Sequence, residues 1–269
     1  MAVLPPVGFW VYVGATARSN WSERWVPNTM AMRMAKVMGA TFMRLEADLM
    51  YRQRLESDRI VMYFDPRRSP YVERVDRPEE DLAAMDQHVA RLENLLGGRI
   101  TDKVVWIRGP LLGSEYVSLH GLSLGSAFSP EIRDSYRGDR HELAHAALDW
   151  FRTPASNPPY VLHEGWAMAQ CGDSRADLAA AAATARAENS GLSLRELFER
   201  TWYFRDSGPA YSIGGAFVDY LIRSFGVPRF QRFYNECDPK NVEGKCREIF
   251  QVELDELEMH FWKDVEAAL

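Results

Sequence analysis

Cysteine is scarce in this chain: among 269 residues there are three, Cys171, Cys237 and Cys246, with neither zinc-knuckle nor CxxC spacing. That excludes a structural metal cluster held by thiolates, and a chain of this length does not need a disulfide framework. Cys237 and Cys246 can close a short loop in an oxidising compartment or stay two ordinary thiols, so the compartment is open. Long apolar runs are missing too. The run Val7-Gly8-Phe9-Trp10-Val11-Tyr12-Val13 falls far short of the ~20 apolar residues a membrane helix needs, and no clear membrane segment is expected. It has no basic lead-in and carries Pro5-Pro6, which favours a packed strand or anchoring segment over an export signal. Basic runs are absent and the formal net charge is −6. Nucleic acid and acidic membrane surfaces are therefore not expected partners, since both require a basic face. No internal repeat or low-complexity linker interrupts the sequence.

What is present is enough for a sizeable core: 46% hydrophobic and 12% aromatic residues, which suit one large domain or two lobes. Residues 28–54 are rich in Met, Ala and Leu, with Met32, Met34, Val37, Met38, Phe42, Leu45 and Leu49 at helical spacing. A methionine-lined helix of this kind reads as core packing. Arg59 to Phe64 reads as a buried strand ended by Asp65-Pro66. Pro78-Glu79-Glu80-Asp81 opens a helix with Leu82, Met85, Val89, Leu92 and Leu95 on one face and Gly97-Gly98 at its end. Lys103 to Ile107 is a second strand, so strand, helix, strand predicts a small mixed sheet with a helix packed on it. Short glycine-broken runs at Tyr116–Leu119 and Gly121–Phe128 suit an edge strand that another backbone can approach, and His120 between them reads as a loop residue. From Gly172 onward the pattern is helical. It includes an alanine-rich helix over 173–188, a capped turn in which Ser193 faces Glu196, and helices over 211–225, 230–236 and 254–268. The expected class is α+β. Residues 1–57 form an N-terminal segment with an amphipathic helix, 58–172 a sheet lobe with the chemistry-bearing helices, and 173–269 a helical C-terminal lobe.

The chemistry concentrates in His141-Glu142-Leu143-Ala144-His145. On a helix, four residues advance about 400°, which leaves the two histidines roughly 40° apart on one face. HExxH on a helix carries a mechanism: two imidazoles hold zinc while the glutamate between them accepts a proton from water. Its false positives are surface helices whose histidines do nothing. A catalytic zinc site takes three protein ligands and leaves a fourth position open, so a third donor is required. Eighteen residues separate His145 from Glu164, which is preceded by His163. Adjacent helical residues point about 100° apart, so one of this pair, and not both, can face the metal.

The run Pro158-Pro159-Tyr160-Val161-Leu162-His163-Glu164-Gly165-Trp166-Ala167 resembles the gluzincin metallopeptidases, specifically the bacterial peptidase MA-like group. In that group a proline-aromatic-leucine run precedes Glu-Gly and supplies the third zinc ligand. The resemblance implies a thermolysin-like catalytic domain with Zn2+ held by His141, His145 and Glu164, and Glu142 as general base. It leaves His163 as a supporting or packing residue. It extends over roughly residues 58 to 265, with the metal motif as its specific part. Metzincins place a third histidine much closer and after a glycine, a pattern absent here.

Peptide hydrolysis also needs a donor for the oxyanion beyond the metal. Gluzincins take a tyrosine or histidine from the second lobe, which implies Tyr211, with Tyr203 behind it. Asp149, one turn beyond His145, reads as an exposed helix acid, with orientation of an imidazole as the alternative. Aminopeptidases with this ligand spacing carry Gly-x-Met-Glu-Asn, whose glutamate binds the free amine. The corresponding Gly121–Phe128 has no acid, so an endopeptidase is expected, with Gly125, Ser126 and Ala127 holding an extended peptide or protein substrate by backbone hydrogen bonds. Two other classes remain: a zinc hydrolase acting on an amide or epoxide of a small molecule, and a binding protein with an inert HExxH helix.

Overall fold

The computed structural model describes residues 53–64, 77–100, 103–108, 140–153, 156–189, 191–199 and 208–269. The methionine-rich stretch as far as residue 52, the edge-strand residues Gly125, Ser126 and Ala127, His120 and Tyr203 lie outside the described residues. What is described is mostly helical with one small sheet, an α+β architecture. It falls into two compact units.

The first unit is built on the sheet. Strand β1 (Gln53–Glu56) pairs antiparallel with β2 (Ile60–Phe64), which pairs parallel with β3 (Val104–Arg108) in the order β1-β2-β3. As the central strand, β2 buries Ile60, Val61 and Met62 alike. A strand covered on both faces reads as a continuous apolar run rather than an alternating one. Gln53 and Arg54, read as the end of a helical stretch, are in a strand instead and pair with Phe64 and Tyr63. Their side chains have no strong backbone preference, and pairing with an edge of β2 decides their conformation.

Helix α1 (Pro78–Leu96) connects β2 to β3, with acids in its first turn and Gly97 at φ 73° after its end. These are favourable helix-terminus chemistries, charge against the N-terminal dipole and a left-handed glycine past the C-terminus. Leu82, Met85, Val89, Leu92 and Leu96 are buried, so the stripe ends on Leu96, not Leu95. Residues of α1 up to Ala90 count with the sheet, and Arg91–Arg99 with the second unit. Asp86 on α1 accepts from Ser57 Oγ at 2.7 Å, from the Arg59 amide at 2.9 Å and from Arg59 Nη1 at 2.9 Å. Burial raises its pKa, but these three donors outweigh that and hold it below the ordinary carboxylate value.

A carboxylate with a depressed folded-state pKa adds stability above its unfolded value of 3.8 and loses it as pH falls through the folded value. Asp86→Asn is expected to lower stability at neutral pH by about 1.5–3 kcal/mol. In urea titrations the gap from wild type should narrow as the pH is taken below 3.8.

Helix α2 (Arg140–Trp150) counts with the first unit as far as Glu142 and with the second from Leu143; the second unit is helical and continues with α3 (Tyr160–Gln170), α4 (Arg175–Glu188), α5 (Leu194–Glu199), α6 (Gly208–Phe225), α7 (Val227–Glu236), α8 (Val242–Lys245) and α9 (Leu254–Glu266). Ser174 and Asp177 form a capping box at the start of α4. The expected box at α5 is also formed: Glu196 Oε2 accepts from the Ser193 amide at 2.8 Å, and Ser193 Oγ accepts from the Glu196 amide at 3.3 Å. An aromatic core fills the interior. Trp166 stacks on Phe230 at 5.5 Å between ring centroids, and Phe217 meets Phe261 edge to face at 5.3 Å. Between α7 and α9 the sequence reading placed no element, yet α8 runs into a π turn, Cys246–Phe250, closed by Gln251 at φ 61°. The turn delivers Phe250 against Phe225 and Phe233, at 4.7 and 4.8 Å. All three cysteines are thiols. Burial pushes Cys246 up to about 12 and raises Cys237 as well.

Helices α3 and α6 approach most closely at two glycines. A Cβ on Gly165 would stand 2.4 Å from the Gly214 carbonyl oxygen, and one on Gly214 would stand 2.8 Å from the Val161 carbonyl oxygen. These neighbours are backbone and cannot rotate away. Gly165→Ala is therefore expected to destabilise by about 1–3 kcal/mol through overpacking, although alanine is the better helix former by about 1 kcal/mol. A lowered urea midpoint checks this, and a raised one would contradict the close approach.

Candidate metal centre

The site is assembled from α2 and α3. Helix α2 is unbroken over Arg140–Trp150, so the His141 and His145 side chains share a face as the spacing requires. Its first residue is held from outside: His88 Nε2 donates to the Arg140 carbonyl at 3.2 Å. Helix α3 starts directly after Pro159, whose fixed φ suits a helix start, and nine of its eleven residues are buried, His163 and Glu164 among them. Trp166 Nε1 donates to the Ala144 carbonyl at 2.8 Å, which ties α3 to α2 between the two histidines. Gly165 lets the same turn lie against the α6 backbone.

These constraints bring His141, His145 and Glu164 together. Each offers one ligand-capable atom, and the three atoms lie within 4.8 Å of one another. His145 Nε2 and Glu164 Oε2 are 3.3 Å apart. A tetrahedral zinc site with bonds of 2.0–2.1 Å has ligand-to-ligand edges of about 3.3–3.4 Å, so this edge already has the required length. Two imidazole nitrogens and a carboxylate oxygen form a donor set suited to zinc with one position left open. His145, Glu164 and Glu142 are each at most 5% exposed. Side chains of these types seldom sink so far unless paired or bound to a cation.

His163 is not one of the three. Its ring stacks on His145, with centroids 4.1 Å apart and planes 19° apart, and its Nδ1 lies 2.7 Å from the Tyr234 hydroxyl. Asp149 is not the exposed acid that its position suggested: its side chain is 12% exposed and Arg152 Nη1 approaches it at 3.5 Å. Burial raises the Asp149 carboxyl, while Arg152 and His145 pull it the other way.

Tyr211, on the first turns of α6, receives a hydrogen bond from the Tyr160 hydroxyl at 3.0 Å, the two rings meeting edge to face. Burial raises the Tyr211 phenol, and the Glu164 carboxylate and Tyr160 push it in the same direction. Its hydroxyl therefore stands beside the ligand-capable carboxylate and keeps its proton. Tyr160 was not singled out from sequence, although it lies four residues before Glu164 and so on the same face of α3. Tyr234 and Arg152 carried no sequence signal: one is an aromatic in a helical stripe, the other a charged residue at a helix end. No family model matches the chain, and no curated protein and no solved structure matches it.

Proposed function

We propose that the chain is a zinc-dependent metallopeptidase of the gluzincin, thermolysin-like type, more suited to endopeptidase than aminopeptidase action. The observation that carries this reading is the convergence of ligand-capable atoms of His141, His145 and Glu164 within 4.8 Å on two helical turns, His145 and Glu164 buried and His141 half-buried, with Glu142 adjacent to the first of them. His141, His145 and Glu164 would hold the ion. Zinc bound there supplies Lewis acidity, making water a nucleophile at neutral pH and polarising the substrate carbonyl. Glu142 takes the proton of the attacking water and returns it to the leaving amine, a task for a carboxylate held in a dry setting. Tyr211, protonated and in reach of Glu164, donates a hydrogen bond to the oxyanion. Gly125, Ser126 and Ala127 hold the peptide in extended form through their backbone. The run from Gly121 to Phe128 has no carboxylate to bind a free amine, which supports cleavage within a chain.

Protein purified without added zinc is expected to carry one zinc per chain by atomic emission, and His145→Ala and Glu164→Ala to lose it. Glu142→Gln should keep the metal while its turnover falls by about 100- to 10,000-fold. Digestion of a proteome-derived peptide library, read by mass spectrometry, is expected to show cuts with wild type that vanish with Glu142→Gln. Zinc retained without any such cut would favour the small-molecule hydrolase, and wild-type turnover in Glu142→Gln would overturn the mechanism.

A further inference from the structure

Behind the three ligand-capable residues lies a second layer of polar side chains that a peptide-hydrolysing metal site does not require by definition. His145, His163 and Tyr234 form a row of near-parallel rings: His163 is tilted 19° from His145 and 22° from Tyr234. The stack of His163 on His145 is close, with 4.1 Å between centroids. His163 is 3% exposed and Tyr234 is fully buried, so neither ring has room to swing. Their link is a short hydrogen bond of 2.7 Å between Nδ1 and the phenolic oxygen. A phenol and an imidazole nitrogen can each donate or accept, so the two rings are paired whichever of them carries the shared proton.

The consequence for His145 is mechanical. Imidazole ligands must aim one ring nitrogen along the metal bond, and groups around the ring that fix its orientation strengthen binding. Rotation of the His145 ring would drive it into His163. Displacing His163 would break the bond to Tyr234, which is itself fully buried on α7. The observed result is His145 Nε2 directed at Glu164 Oε2, 3.3 Å away.

We propose that His163 and Tyr234 are positioning residues of the metal centre: the Tyr234 hydroxyl locks the His163 ring, and that ring holds His145 in its metal-binding orientation. This rests on the reading of His141, His145 and Glu164 as a zinc site, and it adds residues that touch neither the ion nor a substrate. Tyr234→Phe removes one hydroxyl and keeps the aromatic ring. His163→Gln removes the stacked ring while leaving an amide that can reach Tyr234. Asp264→Asn serves as control, because Asp264 pairs with Arg175 and Arg223 in the same unit, far along the chain from the site.

Zinc dissociation constants are measured on the full chain by competition with a chromogenic chelator, beside urea midpoints of the metal-free proteins. Tyr234→Phe and His163→Gln are each expected to weaken zinc about 10- to 100-fold, while Asp264→Asn stays within about twofold of wild type. The visible absorption of the cobalt-loaded protein should shift in both site variants and not in the control. If His163→Gln does not fold, Tyr234→Phe decides alone. Zinc affinity and cobalt spectrum unchanged in a folded Tyr234→Phe would overturn the positioning role while leaving the zinc site standing. A wild-type chain that binds no zinc would overturn both.

Discussion

The backbone contact between α3 and α6 is the constraint on which the candidate site depends. Without a side chain at Gly165, the turn carrying Glu164 can press against the Gly214 carbonyl. With one, the two helices would have to separate by more than a rotamer change can supply. The neighbouring residue on the other side, Trp166, reaches the Ala144 carbonyl with its indole N–H and is itself stacked on Phe230. Glu164 is thus followed by a residue with no side-chain volume and then by one with much. Its carboxylate is aimed by packing before any electrostatic attraction acts.

Packing of this kind makes a polar centre possible inside an aromatic core. His145, His163 and Glu164 are almost wholly buried, with Glu142 close to that, and unpaired polar groups at such depth cost several kcal/mol each. Each described member of the cluster has a named neighbour: Glu164 for His145, Tyr234 for His163, Tyr160 for Tyr211. The same logic acts in the sheet unit, where Asp86 collects three donors from the turn between β1 and β2. There the partners are neutral or cationic protein groups throughout. At His141, His145 and Glu164 two imidazoles and a carboxylate meet, a donor set suited to a cation.

Much of the fold was legible because its periodicities are strong. The central strand, the helix over Pro78–Leu96, the two motif helices and the capped turn at Ser193 all announce themselves through spacing, termini or turn chemistry. The misreadings have physical causes. Gln53 and Arg54 join a strand because an edge of β2 is there to receive them, a fact that lies in another segment. The π turn at Cys246–Phe250 has no distinctive composition, and it exists because Phe250 gains contacts with Phe225 and Phe233. Asp149 looked solvent-facing by type, yet its side chain is largely covered and paired with Arg152.

By itself, the sequence determined that two histidines four residues apart share a helical face and that only one of His163 and Glu164 can offer a ligand atom alongside them, because helix geometry depends on nothing beyond the local backbone. It also determined that Glu142 lies beside the first ligand-capable histidine. Tertiary structure decided the rest: that Glu164 comes within 3.3 Å of His145 while His163 lies flat against the His145 ring and bonds to Tyr234. These relations join residues up to 89 positions apart, from His145 to Tyr234, and arise from steric fit between helices. No local preference along the chain encodes such a fit.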